Sequence, residues 1–324
     1  MRGFCKIQGC AAPKGLCLNK LSNEHLVCEH WSDVEQVDSK KSKSVGAKVL
    51  PWTGEALQPD ELELIGERSS PLVIGMIGCP DAGKTSYLGM LYTLLFNGNK
   101  IDGWPLCGSY TLAAWEILAQ CLKIKSNGKV DFPIPTPSSA DFYSLYHLAL
   151  KNTQVFRDVL LADSSGEVFN LWSEDVNDEN AENARWIYSN SDAFVFFIDS
   201  VALVEKRGRA KAQIVQMAEQ LAANLENRPV AIVWSKADKI SEIRPNIKAS
   251  LKEDLDRLFQ DATFFEVSNF PSKEFDPLCH RNNINVLENL LNRLNKERAI
   301  NLLLEQSKSE DLFFRFGAPT NDRK

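Results

Sequence analysis

What the chain lacks narrows it first. Its 324 residues contain no apolar run approaching the ~20 residues that a membrane-crossing helix needs. The opening "MRGFCKIQGC" has no apolar stretch of the signal-peptide kind, so a cytoplasmic setting is expected. Excess positive charge is missing too. With 37 Lys and Arg against 43 Asp and Glu, the net charge is −6, which gives no strong signal for nucleic acid, whose phosphates bind cationic surfaces. Histidine is scarce, at four residues, and no internal repeat is visible. In a cytoplasmic chain the eight cysteines are expected as thiols or metal ligands rather than disulfides.

Those cysteines are unevenly spread. Cys5, Cys10, Cys17 and Cys28 fall in the first 28 residues, beside His25 and His30, in the order C-x4-C-x6-C-x7-H-x2-C-x-H. A tetrahedral Zn²⁺ site needs four thiolate or imidazole ligands gathered by short loops. Gly9, Pro13 and Gly15 can supply the turns. So short a segment cannot bury a core, and metal would supply its folding energy. A structural Zn²⁺ module is expected over 1–31, held by four of Cys5, Cys10, Cys17, Cys28 and His25, with His30 a weaker candidate. A closed site of this kind suits docking of a protein partner.

Residues 32–70 mix charge, Ser, Gly and Pro without a sustained period, and read as a linker. From 71 to 306, strand-like and helix-like segments alternate. That predicts an α/β domain in three layers, with helices on both faces of a mostly parallel sheet. The strand candidates are "PLVIGMIG", "DFYSLYHLAL", "RDVLLAD", "AFVFFIDS", "PVAIVWSK" and "TFFEVSNF". Helices are expected around "ENAENARWIYSN", "AKAQIVQMAEQLAANLE" and "IKASLKEDLDRLF", and from near Asn285 onward. "GSYTLAAWEILAQCLKI" reads as an inserted helix covering one sheet edge, its aromatic residues serving the core. Residues 307–324 read as a charged tail.

The strongest signal lies in "VIGMIGCPDAGKTSYLGMLYTLL". Gly78 to Thr85 fit G-x-x-x-x-G-K-[ST], between an apolar strand and a helix with Leu88, Leu91, Leu94 and Leu95 at helical spacing. Chance supplies the four fixed positions in about one chain of this length in a hundred, and the strand–loop–helix setting makes coincidence rarer still. Gly78 and Gly83 let the backbone curl so that successive N–H groups point at one phosphate. The helix N-terminus adds positive potential. Lys84 would reach the β- and γ-phosphates and the Thr85 hydroxyl would coordinate Mg²⁺.

Three later strands end in stretches that bear on the same ligand, at the strand ends where open α/β sheets bind. "LLADSSGE" carries D-x-x-G as Asp163 to Gly166. "AIVWSKAD" carries Ser235-Lys236-Ala237-Asp238, a variant of [NT]-K-x-D with Ser first. A carboxylate at Asp238 can accept from N1–H and the 2-amino group of guanine, and adenine would leave it unpaired. "FFEVSNF" ends in Ser268 and Asn269.

In order and spacing these motifs resemble the translation-factor-related (TRAFAC) class of P-loop GTPases. "GSYTLAAWEILA", "YHLAL", "LLADSSGEVFNLW", "ARWIYSNSDAFVFFID" and "RPVAIVWSKAD" are further similar to the bacterial double-GTPases, a group linked to conflict and anti-phage defence. The resemblance implies a Ras-like domain, a GTP/GDP cycle dependent on Mg²⁺, and a role as a regulatory switch in a bacterial defence system. It implies that Asp81, Ala82 and Ser86 join Gly78, Gly83, Lys84 and Thr85 around the phosphates. Asp163 would hold Mg²⁺ through water, and the Gly166 N–H would sense the γ-phosphate. The Lys236 stem would cover the base, with Ser235, Ser268 and Asn269 beside it. A switch threonine is needed ahead of the second strand. Thr136 in "PIPTPSSADFY" is the candidate, with Ser138 and Ser139 as rivals. Glu167 stands where related enzymes carry a glutamine that orients the attacking water. That departure leaves open a protein that binds GTP without turning it over, and an ATPase is a further alternative. Arg185 and Arg209 are candidates for extra positive charge. Protein partners are expected at the zinc module or the switch loops.

Overall fold

The computed structural model describes residues 3–5, 31–33, 54–66, 70–123, 133–152, 155–269 and 275–295. It divides into two compact units, Met1–Leu50 and Pro51–Lys324. In the first, β1 (Gly3–Cys5) pairs antiparallel with β2 (Trp31–Asp33), setting Cys5 opposite Trp31. The expected zinc module finds no support there. Cys10, Cys17, His25 and Cys28 lie outside the described residues, as does the expected tail 307–324, and among the described residues no cluster of three or more His, Cys, Asp or Glu could hold a metal. No described helix is long and apolar enough to cross a membrane.

The second unit opens with a short helix, α1 (Leu62–Ile65). Then come β3 (Leu72–Gly78), α2 (Lys84–Phe96), β4 (Leu106–Gly108) and α3 (Leu112–Cys121). β5 (Ser144–Lys151), β6 (Phe156–Asp163), α4 (Gly166–Glu174) and α5 (Glu182–Asn190) follow. The rest is β7 (Ala193–Asp199), α6 (Ser200–Lys206), α7 (Gly208–Ala222), β8 (Val230–Ser235), α8 (Pro245–Leu258), β9 (Thr263–Val267) and α9 (Pro277–Leu294). The seven strands run in the order β4-β5-β6-β3-β7-β8-β9. β6, β3, β7, β8 and β9 pair in parallel, while β5 runs antiparallel to β6 and β4 antiparallel to β5.

All six expected strands are present. Their apolar runs are explained by burial on both faces, as in a sheet covered by helices on each side. Along β3, Ile74 and Met76 join one core with Leu88 and Leu91 of α2, Trp115 of α3 and Leu287 of α9. Val73 and Ile77 join the opposite core with Phe169 and Trp172 of α4, Ile187 of α5 and Leu251 of α8. The alternation repeats along β7, where Val195 and Phe197 face one layer and Phe194, Phe196 and Ile198 the other. α2 is buried on almost every side because α3 and α9 cover the flank that the sheet leaves open. Gly89 permits this: a Cβ there would sit 3.2 Å from the Leu118 carbonyl oxygen of α3.

The inserted helix is α3; of the two aromatic residues expected in the core, Trp115 is there and Tyr110, just before the helix, is exposed. Trp115 is fully buried, stacked 5.6 Å from Tyr92, with its Nε1 donating to the His147 carbonyl at 3.0 Å. His147, which carried no pattern in the sequence, ties three elements together. Its Nε2 lies 3.0 Å from Asp158 of β6, and its Nδ1 accepts the Tyr110 N–H at 3.0 Å.

Three expectations need correction. Residues 54–66, read as the end of a linker, pack onto the sheet: Leu57 exchanges backbone hydrogen bonds of 3.0 and 3.2 Å with Leu145, and Leu57 and Ile65 are buried. α9 starts at Pro277, not near Asn285. Asp276 caps it, accepting from the Leu278 N–H at 2.9 Å, and Pro277 occupies the first turn. The polar stretch "HRNNIN" concealed that start. Finally, β4, α4 and α6 were not anticipated, being short or embedded in motif residues.

Candidate functional site

One cleft of about 710 Å³ opens at the carboxyl ends of the parallel strands. Asp81, Ala82, Gly83, Lys84, Thr85, Ser86, Thr136, Gly166, Glu167, Ser235, Lys236, Asp238, Ser268 and Asn269 all line it. Gly78 and Asp163 are bonded directly to that lining.

Between β3 and α2 the backbone turns left-handed at Asp81 (φ 61°) and Gly83 (φ 83°), and this curls the loop. Aspartate is among the few side chains that tolerate that region. Lys84, 6% exposed, bends back and donates from Nζ to the Gly78 carbonyl at 2.9 Å and the Cys79 carbonyl at 3.3 Å. Burial lowers its pKa, and the nearby Asp163 carboxylate works against that. Asp163, at the end of β6, is 1% exposed. Burial raises its pKa, opposed first by Lys84 and then by the Thr85 hydroxyl, which donates to Oδ2 at 2.8 Å. Thr136 Oγ1 lies 3.2 Å from Thr85 Oγ1. The rival Ser139 instead donates to Asp141.

The other D-x-x-G end closes from the opposite side. A Cβ on Gly166 would stand 2.1 Å from the Pro80 nitrogen and 2.4 Å from the Cys79 carbonyl carbon. The two backbones touch, and only glycine fits between them. Gly166 also begins α4, whose N-cap Ser165 accepts from the Glu167 N–H at 3.2 Å. Ser165 Oγ in turn donates to the Glu167 carboxylate, which is therefore folded back onto its own helix terminus.

At the far end of the cleft, Ser235 Oγ donates to the Ile198 carbonyl at 3.0 Å, binding the ends of β8 and β7 together. Lys236 is left-handed (φ 52°) and pairs through Nζ with Asp199 Oδ2 at 2.8 Å. Asp238 is exposed at the cleft wall. Ser268 and Asn269 are buried; the Ser268 N–H donates to the Leu278 carbonyl at 3.1 Å, and Asn269 Oδ1 has no partner among the described residues.

The sequence reading missed Asp199. Its other carboxylate oxygen accepts from the Val201 and Ala202 N–H groups, capping α6, whose Lys206 also lines the cleft. The available signal was a charged residue closing the apolar strand "AFVFFID". Arg185 is not in the cleft. Its guanidinium donates to the Val176 carbonyl at 3.0 Å and to the Asp178 carbonyl. Arg209 is exposed and does not line the cleft.

The donor set beside Lys84 suits a hard divalent cation. Two hydroxyls and a carboxylate converge, all oxygen donors of the kind Mg²⁺ selects. Asp163 Oδ1 is buried with no partner among the described residues, a cost that a hydrated cation would remove. The residues therefore fit Mg²⁺.

Comparison with known proteins returns one family model, Double-GTPase 2, which matches residues 72–294. No curated protein matches. Similar solved structures include Methanosarcina barkeri Roco2 RocCORdC bound to GDP, at 14% identity and TM-score 0.37, covering 69% of this chain and 48% of that one. A putative nucleolar GTP-binding protein 1 from Plasmodium falciparum is 15% identical, TM-score 0.40, covering 69% of this chain and 88% of that one. A GTP-binding protein from Sulfolobus solfataricus in complex with GDP is 14% identical, TM-score 0.36, covering 69% and 52%. The chain thus spans about half the length of the Roco2 and Sulfolobus proteins.

Proposed function

The chain belongs to the Double-GTPase 2 family of P-loop GTPases, and on that premise we propose that it is a Mg²⁺-dependent guanine-nucleotide switch that converts GTP and water to GDP and phosphate. The observation that carries the reading is the pairing of two chemistries in one cleft. Lys84, Thr85, Thr136 and Gly166 gather at one end, Lys236 and Asp238 at the other.

In this reading the curled backbone from Gly78 to Lys84 presents N–H groups to the phosphates. Lys84 turns its ammonium from the Gly78 and Cys79 carbonyls to the β- and γ-phosphate oxygens. Thr85, Thr136 and Asp163 would hold the metal, which would supply positive charge to offset that of the phosphates. The Gly166 N–H reads the γ-phosphate. Asp238 accepts from the guanine N1–H and 2-amino groups, and the Lys236 stem covers one face of the base. Ser235, Ser268 and Asn269 shape the wall around it. Loss of the γ-phosphate removes what the Thr136 and Gly166 loops hold on to, so both loops are free to rearrange. Ile134, 85% exposed two residues before Thr136, offers a protein partner an apolar contact that moves with the switch.

One observation favours a second reading. Glu167 is engaged with Ser165 instead of pointing at an attacking water, which suits a GTP sensor that turns over slowly or only with an activator. Titration calorimetry with GTP, a non-hydrolysable analogue and ATP, with and without Mg²⁺, followed by phosphate release on the same sample, separates the possibilities. Guanine selectivity with release supports the GTPase, selectivity without release supports the sensor, and equal ATP binding overturns both. The Zn²⁺ reading of the first unit rests on residue types, with Cys5 fixed in the β1–β2 ribbon. Metal content below one zinc per chain in protein purified with zinc would end it. A part in bacterial conflict and anti-phage defence rests on the family resemblance alone.

A further inference from the structure

The two loops assigned to γ-phosphate sensing are joined by a side chain that belongs to neither. Asn183, in the first turn of α5, is fully buried. Its Nδ2 lies 3.0 Å from the Phe142 carbonyl oxygen and 3.2 Å from that of Ser139, both in the segment that runs from Thr136 to β5. The same nitrogen lies 2.9 Å from Ser164 Oγ, between Asp163 and Gly166. Two facing carbonyls fix the amide orientation, since only the NH₂ can donate to them. The opposite atom, Oδ1, accepts the Ala184 N–H at 2.8 Å, which anchors the side chain to its own helix. Tyr143 packs edge-on against Trp186 of α5 at 5.5 Å, so the contact between this loop and this helix has an apolar part as well.

Two N–H bonds serving three acceptors on two loops make a junction. One loop cannot move away without leaving the amide, or the other loop, with a lost partner in a dry interior, where an unmet hydrogen bond is expensive. Both loops stand closed over the phosphate loop: Thr136 against Thr85, Gly166 against Pro80. We propose that Asn183 is a positioning residue that couples the Thr136 loop to the Asp163–Gly166 loop, so that they close on the γ-phosphate as one cooperative unit. The inference rests on the guanine-switch reading above and adds to it the device that makes two contacts act as one switch. Asn183 touches no nucleotide in this scheme. Its effect passes through the backbone of residues 139–142 and the Ser164 hydroxyl.

The quantity to measure is the ratio of affinities for a non-hydrolysable GTP analogue and for GDP, taken on one sample with Mg²⁺. A shortfall in folded protein cancels from that ratio, so a merely structural role leaves it unmoved. In Asn183→Ala the ratio is expected to fall about tenfold, in the lower part of the usual coupling range, with GDP affinity within about twofold of the wild type. Asn183→Asp keeps the size and the Oδ acceptor but turns a carboxylate toward two carbonyls, and should lower the ratio at least as far. Ser164→Ala removes one arm and leaves α5 intact, so it serves if the Asn183 variants do not fold. Its expected loss is about threefold alone and none in the Asn183→Ala background. A wild-type preference for the GTP analogue with an unchanged ratio in folded Asn183→Ala, or an unchanged ratio in Ser164→Ala, overturns the coupling and leaves the switch reading intact. A wild type that binds no guanine nucleotide overturns the switch reading, and the coupling with it.

Discussion

The two ends of the cleft are built on different physical terms. At the phosphate end the charged pair and the Gly166 turn are buried, with Thr85 and Thr136 half-buried beside them. Lys84 and Asp163 are almost out of solvent, and the Gly166 backbone lies against Pro80 with no room for a methyl group. At the base end, by contrast, the group expected to choose the ligand is an exposed carboxylate, Asp238, on a short turn after β8. Buried groups in a dry site act strongly, but moving them disturbs the fold as well. An exposed group can be exchanged with little structural cost. Substitutions of the buried phosphate-end groups should therefore alter stability and binding together, and substitution of the exposed Asp238 should alter choice of ligand alone.

Gly166→Ala tests the first half most severely. The added methyl meets backbone, not a flexible side-chain end, so one of the two loops has to move. A cost on the order of 3 kcal/mol, roughly 100-fold in affinity, is expected for the GTP analogue in calorimetry. GDP should lose much less, since in the proposed switch it is the γ-phosphate that the Gly166 N–H would contact. Equal losses for both nucleotides would mean that Gly166 serves the loop's shape and not phosphate sensing.

Asp163→Asn should split the two properties. The carboxylate is buried with one oxygen unpartnered, and burial raises its pKa. The unfolded chain therefore releases this proton first as pH rises, and stability falls across the window up to the folded pKa. Without that charge the nucleotide-free protein should gain about 1–3 kcal/mol at neutral pH, and its stability should vary less with pH over that window. The wild type is expected to bind nucleotide more tightly with Mg²⁺, and that gain should disappear in the variant. A lower Tm in the nucleotide-free variant would show that the Lys84–Asp163 attraction outweighs the cost of burying the pair.

Asp238→Asn probes the other end. The amide can donate to a 2-keto group but cannot accept from both guanine donors, so preference should move from guanosine to xanthosine triphosphate. A loss of roughly 100-fold for GTP is expected, with Tm unchanged within about 1 °C because the group is exposed. Retained GTP selectivity would remove Asp238 from the base site.

The same division explains what the sequence disclosed. Strand β3, the Gly78–Thr85 loop and the Asp163–Gly166 turn are legible because backbone geometry demands particular residue types at fixed spacing, and because strands buried on both faces read as unbroken apolar runs. Asn183 and Asp199 were invisible. Each acts through partners 37 or more positions away in at least one contact, Ser139 at 44 and Lys236 at 37, and no local spacing records such a pairing. α9 was placed late because asparagines in its first turns have weak helical preference, while Asp276-Pro277, the cap that starts it, is short and easily read as loop. The glutamate at position 167 was noticed, but its engagement with Ser165 depends on the helix that starts inside the motif, which periodicity did not show.

The smallest expected effect belongs to Asp199, and it locates the boundary between the two ends. Its carboxylate caps α6 with one oxygen and holds Lys236 with the other. The Lys236 side chain is 35% exposed, so solvent screens the pair and its contribution is modest. Asn in its place can keep the cap with its one oxygen, but then turns an NH₂ toward the Lys236 ammonium and loses both the charge and that hydrogen bond. Affinity for GTP should fall about threefold, and for the xanthosine nucleotide by the same factor, because in the proposed reading the Lys236 stem would cover the face of either base and read neither edge. The deficit should shrink as salt is raised, since the wild type loses its own ion-pair advantage under screening. A change in selectivity between the two bases would make Asp199 part of the reading edge. A loss that ignores salt would mean that it acts on the base end through the fold of α6, in the manner of the buried phosphate end.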